Sequence, residues 1–228
     1  GNLVSTWKAK KYTITFNANG GTVTPSTMIV TYDSAYGELP VPTRTGYEFT
    51  GWIDENNKTI VSSTIVKTAK NHTLKAVWKS KAYTISYSLD NGTFGTNHPN
   101  TANYDQTITI NNLTKSIKLT FDLNNTGATI DYSGSGISGN NQSKSYTFNG
   151  WNITGMDSVT HTYGTKTSTA TSLTGVKETT FKNLHSNGGN VTFSAVFNKV
   201  SVVLPKITKT GYTCNWTSDQ YTWASGGT

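Results

Sequence analysis

Gly46-Tyr47-Glu48-Phe49-Thr50-Gly51-Trp52 returns later in the chain as Ser145-Tyr146-Thr147-Phe148-Asn149-Gly150-Trp151, and again, one residue shorter, as Gly211-Tyr212-Thr213-Cys214-Asn215-Trp216. One aromatic pattern met three times marks a copied unit, and copied units have to be found before single strands are read. In an extended segment Tyr47, Phe49 and the residue two further on share one side, and Gly51 permits the bend that turns Trp52 into a core. The same reading covers Tyr146, Phe148, Gly150 and Trp151 and, without a glycine before the Trp, Tyr212 and Trp216. Each copy is therefore expected at the packing centre of one small domain, its aromatics serving as core rather than as an exposed platform. A buried Trp removes about 150–250 Å² from water, worth roughly 4–6 kcal/mol as an upper bound.

Upstream of the first copy, Tyr12-Thr13-Ile14-Thr15-Phe16 and Met28-Ile29-Val30-Thr31-Tyr32 alternate around Asn19-Gly20-Gly21, which predicts an opening hairpin. Leu39-Pro40-Val41-Pro42-Thr43-Arg44-Thr45 follows as an extended connection, because two prolines fix φ and remove ladder donors. Beyond the motif, Asp54 to Lys58 reads as a polar turn, Ser63 to Lys70 as the one place for a short helical turn, and Thr73 to Trp78 as a closing strand. Residues 11–80 form the first repeat domain. Leu3-Val4-Ser5-Thr6-Trp7-Lys8 matches Leu74-Lys75-Ala76-Val77-Trp78-Lys79, so residues 1–10 read as the closing strand of a preceding or neighbouring repeat.

A second unit, residues 81–198, opens with Tyr83-Thr84-Ile85-Ser86-Tyr87, turns at Asp90-Asn91-Gly92 and closes at Phe193 to Asn198. Two expansions enlarge it, residues 117–144 and 155–188. In the first, Leu119-Thr120-Phe121 and Thr129-Ile130-Asp131-Tyr132 alternate like a hairpin, and both expansions are expected as polar surface loops that hold any partner contact. Residues 199–228 read as a partial third repeat in which Leu204-Pro205 answers Leu39-Pro40.

The 228 residues are 34% hydrophobic and 14% charged, which excludes a membrane span and most disordered classes and points to small, thin-cored, mainly β modules. Net charge is +7, but the lysines are scattered and Arg44 is the one arginine, so a nucleic-acid surface is not expected. Attraction to an acidic polymer is compatible with that charge. The single cysteine, Cys214, excludes a disulfide within the chain and stands where the other copies carry Phe49 and Phe148, as a small buried hydrophobe would. His72, His98, His161 and His185 lack metal-ligand spacing and are expected in solvated loops; Asp54 to Asn57 lacks the spacing of a calcium loop. No paired carboxylates, phosphate loop or nucleophile elbow is present, so neither enzyme, metal nor cofactor is expected.

Tyr12-Thr13-Ile14-Thr15-Phe16-Asn17-Ala18-Asn19-Gly20-Gly21, Leu39-Pro40-x-Pro42-Thr43-Arg44-Thr45-Gly46-Tyr47-x-Phe49-x-Gly51-Trp52 and Asn71-His72-Thr73-Leu74-Lys75-Ala76-Val77-Trp78 together resemble the Listeria–Bacteroides repeat, also called the internalin B-type B repeat. The likeness is strong over 11–80, weaker over 83–198 and partial over 199–228. It implies tandem β-grasp-like domains and an extracellular bacterial setting, secreted or on the cell surface. It further implies a non-catalytic spacer and adhesion module whose partners are cell-wall or host surface components. The runner-up expectation is a filament subunit that binds copies of itself, Leu3, Val4, Ser5, Thr6 and Trp7 of one chain completing the open unit of the next. No direct membrane insertion is expected.

Overall fold

Alternation builds the first sheet. In the computed structural model, which describes residues 1–124 and 127–217, β1 (Lys11–Asn17) buries Ile14 and Phe16 while Thr13 and Thr15 point away. It turns through Asn19 (φ 48°) and Gly20 (φ 95°), a left-handed pair that Asn and Gly tolerate, and pairs antiparallel with β2 (Thr27–Thr31). The sheet continues with β3 (Tyr47–Ile53), β4 (Thr59–Ile60) and β5 (His72–Ser80). Its order is β2-β1-β5-β3-β4, with β5 parallel to β1 and antiparallel to β3. The last strand of the unit thus lies at the middle of its sheet.

The second unit repeats this order. It uses β6 (Ala82–Ser88), β7 (Thr93–Phe94), β8 (Thr101–Asn103), β9 (Thr107–Thr109) and β10 (Leu113–Thr114). Next come β11 (Ser116–Leu119), β12 (Thr129–Asp131) and β13 (Gln142–Ser145) in the first expansion, then β14 (Phe148–Thr154). The unit ends with β15 (His161–Tyr163), β16 (Lys166–Ser168), β17 (Leu173–Val176), β18 (Thr180–Lys182) and β19 (Asn190–Phe197). Its main sheet runs β8-β6-β19-β14-β17, with β19 parallel to β6 and antiparallel to β14. Strand for strand this is the first sheet again.

The two aromatic motifs occupy equivalent places and carry equivalent irregularities. The β3–β5 ladder pairs Phe49 with Trp78, slips by one residue, and resumes at Gly51 opposite Val77 and Trp52 opposite Ala76. The β14–β19 ladder slips in the same way between Phe148 opposite Phe197 and Trp151 opposite Ala195. The extra residue of each bulge turns the Trp back onto the core side, and Gly51 (φ 150°) and Gly150 (φ 95°) permit the kink. Trp52 is 2% exposed among Ile14, Phe16, Ile60 and Leu74; Trp151 is fully buried among Ile85, Ile153 and Phe193.

Three expectations are corrected. Residues 63–70 form no helical turn: a turn at Ser62-Ser63 leads to a bridge between Ile65 and Ala35, and no helix occurs among the described residues. Leu119 to Phe121 and Thr129 to Tyr132 do not pair with each other. Instead β11 pairs with β13, and β12 pairs with β20 (Lys206–Thr208), because Ile130 finds an apolar partner in Ile207. Finally, 155–188 is not a set of surface loops. It contributes Met156, Val176, Phe181 and Leu184 to the main core, and β15, β16 and β18 join β9 in a four-stranded sheet where the first unit has only the Ala35–Ile65 bridge.

Two histidines leave the solvated class as well. His72 is buried and joins Tyr36 Oη through Nε2 (2.6 Å) and the Lys70 carbonyl through Nδ1 (2.8 Å). His161 is fully buried, and that burial holds its pKa below the ordinary 6.5. In the second unit Ile108 and Val191 fill the positions of Tyr36 and His72, so an apolar pair replaces a hydrogen-bonded one.

Truncating Trp52 to Ala is expected to cost about 3–5 kcal/mol and to unfold the first unit while the second, built on Trp151, keeps its own transition. Calorimetry resolves the two; an unchanged first transition would show that Trp52 does not anchor the unit.

Candidate interaction site at the repeat joint

One backbone hydrogen bond recurs at each aromatic motif, closing a four-residue turn in the first and third and bridging the base of the first expansion in the second. Tyr47 N–H donates to the Arg44 carbonyl (3.1 Å), Tyr146 N–H to that of Lys115 (2.8 Å) and Tyr212 N–H to that of Lys209 (3.1 Å). At each motif the cation lies over the tyrosine ring, at 3.7 Å for Arg44 on Tyr47, 4.5 Å for Lys115 on Tyr146 and 4.6 Å for Lys209 on Tyr212. The first and third turns have a left-handed glycine before the tyrosine, Gly46 (φ 79°) and Gly211 (φ 82°). In the second, residues 116–145 stand in place of Thr45 and Gly46. The first expansion therefore grows out of the turn itself, from the Ser116–Ser145 base of the β11–β13 ladder.

The first of these turns is where the two units lock together. Lys81 N–H donates to the Gly46 carbonyl (2.8 Å), Tyr47 Oη donates to Asp105 Oδ2 (2.5 Å), and the Tyr47 ring meets Tyr104 edge-on at 6.1 Å. Tyr104 N–H in turn donates to the Lys81 carbonyl (2.9 Å), and Asn183 holds Asp105 through its side-chain amide at 3.1 Å. A Cβ on Gly46 would stand 2.0 Å from the Tyr104 ring, so glycine is required here both for φ and for space. The hydrogen bond that Tyr47 Oη donates holds the Asp105 carboxyl below its ordinary 3.8, and donating it to the carboxylate pushes the Tyr47 hydroxyl above its ordinary 10.0.

The motif residues thus divide between core and surface. Trp52 and Trp151 lie in cores; Phe49 and Phe148 are half-buried beside them, 5.4 and 5.2 Å ring to ring. Tyr47 and Tyr146 leave the core for the turn, and Tyr212 is 67% exposed, so the tyrosines are surface members of the motif. Trp216 is half-buried, packs on Phe121 at 5.3 Å and donates to the Pro205 carbonyl (2.8 Å), as Trp52 donates to Pro40 (2.9 Å). Leu3, Val4 and Trp7 are 103%, 85% and 91% exposed, and residues 1–10 form no strand pair among the described residues. Residues 218–228 of the third unit lie outside the described residues.

Tyr104, Asp105, Lys81 and Arg44 escaped the sequence reading. The available signal was the match of Tyr104-Asp105 to Tyr32-Asp33, a polar pair kept where only a hairpin end is needed. Beside the joint an open depression is lined by Gly20, Gly21, Thr22, Thr43, Arg44 and Thr45. Among the described residues no group of three or more His, Cys, Asp or Glu side chains is placed to hold a metal ion, and no helix is long and apolar enough to cross a membrane.

The family model of the Listeria-Bacteroides repeat domain matches residues 12–77, and the first unit is a repeat of that family. No curated protein and no solved structure matches the chain.

Replacing Gly46 by Ala should open the joint and leave both sheets folded, read as faster hydrogen exchange at the Lys81 amide with unchanged protection in β1 and β6. Acid should do the same. The Asp105 contribution is present above about pH 3.8 and lost as pH falls through its lowered value; that of Tyr47 is present below about pH 10 and lost as pH rises through its raised one. Equal exchange in the variant would remove the joint's claim to the Gly46 contact.

Proposed function

We propose that the chain is a tandem-repeat region of a bacterial cell-surface or secreted protein, a non-catalytic spacer and adhesion module in which neighbouring repeats are held at a fixed angle. The observation that carries this reading is the joint. A flexible linker would leave the Gly46 carbonyl and Asp105 to water, whereas here a backbone bond, a charged hydrogen bond and an aromatic edge converge on them. The grasp-like reading of each unit is supported by the shared order of the two main sheets. Adhesion to a cell-wall or host component falls to the exposed faces of a chain with net charge +7, suited to an acidic polymer.

The alternative, copies assembled head to tail into an extracellular filament, is favoured by the likeness of Leu3-Val4-Ser5-Thr6-Trp7 to Leu74-Lys75-Ala76-Val77-Trp78 of the centre strand β5.

Spin labels at Glu55 and Lys166, both on exposed turns or edges, test the spacer. A single narrow distance distribution is expected, broadening when Asp105 is replaced by Ala; a broad distribution in the unsubstituted chain would contradict a rigid joint.

A further inference from the structure

Both units carry the same turn beside the same cation, and they differ in what the cation meets. Gly21 N–H donates to the Ala18 carbonyl (3.1 Å) in the first, as Gly92 N–H does to that of Leu89 (2.8 Å) in the second. Asn19 and Asp90 take the same left-handed place, each at φ 48°. Thr22 pairs with Thr43 as Thr93 pairs with Thr114, and Arg44 and Lys115 follow directly. In the second unit Asp90 supplies a carboxylate to Lys115 at 3.1 Å. In the first, Asn19 is neutral and its side-chain amide is engaged with the Ala76 carbonyl (3.0 Å). Arg44 is left with one long bond, to the Asn19 carbonyl at 3.4 Å, and with no ion pair among the described residues.

The Arg44 guanidinium is nonetheless fixed. Its Cζ lies 3.7 Å from the centre of the Tyr47 ring, and a Cβ on Gly20 would stand 3.1 Å from that Cζ, so the glycine lets the guanidinium settle against the turn. A guanidinium held in this way offers parallel N–H donors matched to a planar carboxylate, and little freedom is lost when one binds. Beside it the Thr22 and Thr43 hydroxyls share one hydrogen bond (3.1 Å), which leaves the pair both a donor and acceptors to offer. The open depression that these residues line has a volume of 390 Å³, inside the range of about 300–1,000 Å³ usual for small-molecule sites.

We propose that this depression binds a carboxylated sugar of an acidic polysaccharide. Its carboxylate lies on Arg44, in the place that Asp90 fills against Lys115, and its ring hydroxyls meet Thr22 and Thr43. The inference rests on the adhesion reading above and gives it a site and a ligand class. A carboxylate is favoured over a phosphate because the chain itself puts one on the equivalent cation. A sugar is favoured over an acidic peptide because the threonine pair both donates and accepts, as ring hydroxyls do. The second unit is then a self-occluded copy of the site, its cation held by its own Asp90 and the first expansion rising from the position of Thr45.

The test is titration of the full chain with galacturonic acid oligomers, read residue by residue from amide and guanidinium NMR shifts, with a neutral galactose oligomer as control. Saturable shifts confined to residues 19–22 and 43–45 are expected, and none with the neutral oligomer. Asn19→Asp gives the first unit the internal carboxylate of the second and should weaken binding about tenfold or more with Arg44 still in place; Arg44→Gln should weaken it as much. Amide protection in β1 and β5 checks that each variant is folded. Because Asn19→Asp also gives up the bond to Ala76, the shift map of the unsubstituted chain is the second measurement. Shifts spread over the scattered lysines, or equal affinity in the variants and the unsubstituted chain, would overturn the site and leave adhesion through net charge standing. No shift with the galacturonic acid oligomer would overturn it too. Retention on polyglycerol phosphate would in that case keep adhesion and assign it to phosphate, whereas no retention there would remove adhesion to acidic polymers as well.

Discussion

The closing strand of each unit lies between its first and third strands, and the rest of the structure follows from that placement. β5 bonds to β1 on one edge and β3 on the other, as β19 does to β6 and β14, so neither half of a unit has a complete sheet until its last residues arrive. The inward side chains of these strands, Leu74 and Ala76 in one and Val191 and Phe193 in the other, are among the most buried in the chain. Long-range pairing of this kind closes a loop of nearly the whole unit before it is rewarded, which favours folding unit by unit over gradual accretion. It also sets the joint: because the closing strand runs straight into the next opening strand, the residue between them, Lys81, is held where it meets both the Gly46 turn and the Tyr104 corner.

Within this frame the two units differ by substitutions that change the polarity of the core. Tyr36 and His72 share a buried hydrogen bond where Ile108 and Val191 simply pack, and the Trp52 indole N–H has a carbonyl partner that the Trp151 indole lacks. The second unit offsets the loss with apolar area, adding Met156 and Phe181 from its second expansion to a larger core. The first expansion went instead into the turn that makes the joint. Residues 116–145 stand where the Gly46-type turn would be, and Phe121 and Ile130 meet Trp216 and Ile207, with Tyr132 edge-on to Phe121.

Much of the fold was legible because it rests on period-two alternation and on recurrence. Tyr12 to Phe16, the Asn-Gly turn and the pair Trp52 and Trp151 could be placed from residue type alone. Strand order could not, since nothing local distinguishes a parallel centre strand from an antiparallel edge. The pairing of β12 with β20 was hidden for a related reason, as its two strands lie far apart in sequence while Leu119 to Phe121 stood temptingly near. The joint was the least visible, because Tyr47 shares the alternation of Phe49 and only its neighbours in space, Tyr104 and Asp105, show that it faces another unit.

If the centre strand completes each unit, amide hydrogen exchange resolved by residue gives the most direct test. The amides of Leu74 and Ala76 in β5 and of Val191 and Phe193 in β19 should exchange only through global unfolding of their own unit, more slowly than those of the outer strands β2, β4 and β8. Centre-strand amides that exchange as fast as the edges, through local opening that leaves β1 and β3 protected, would contradict the account.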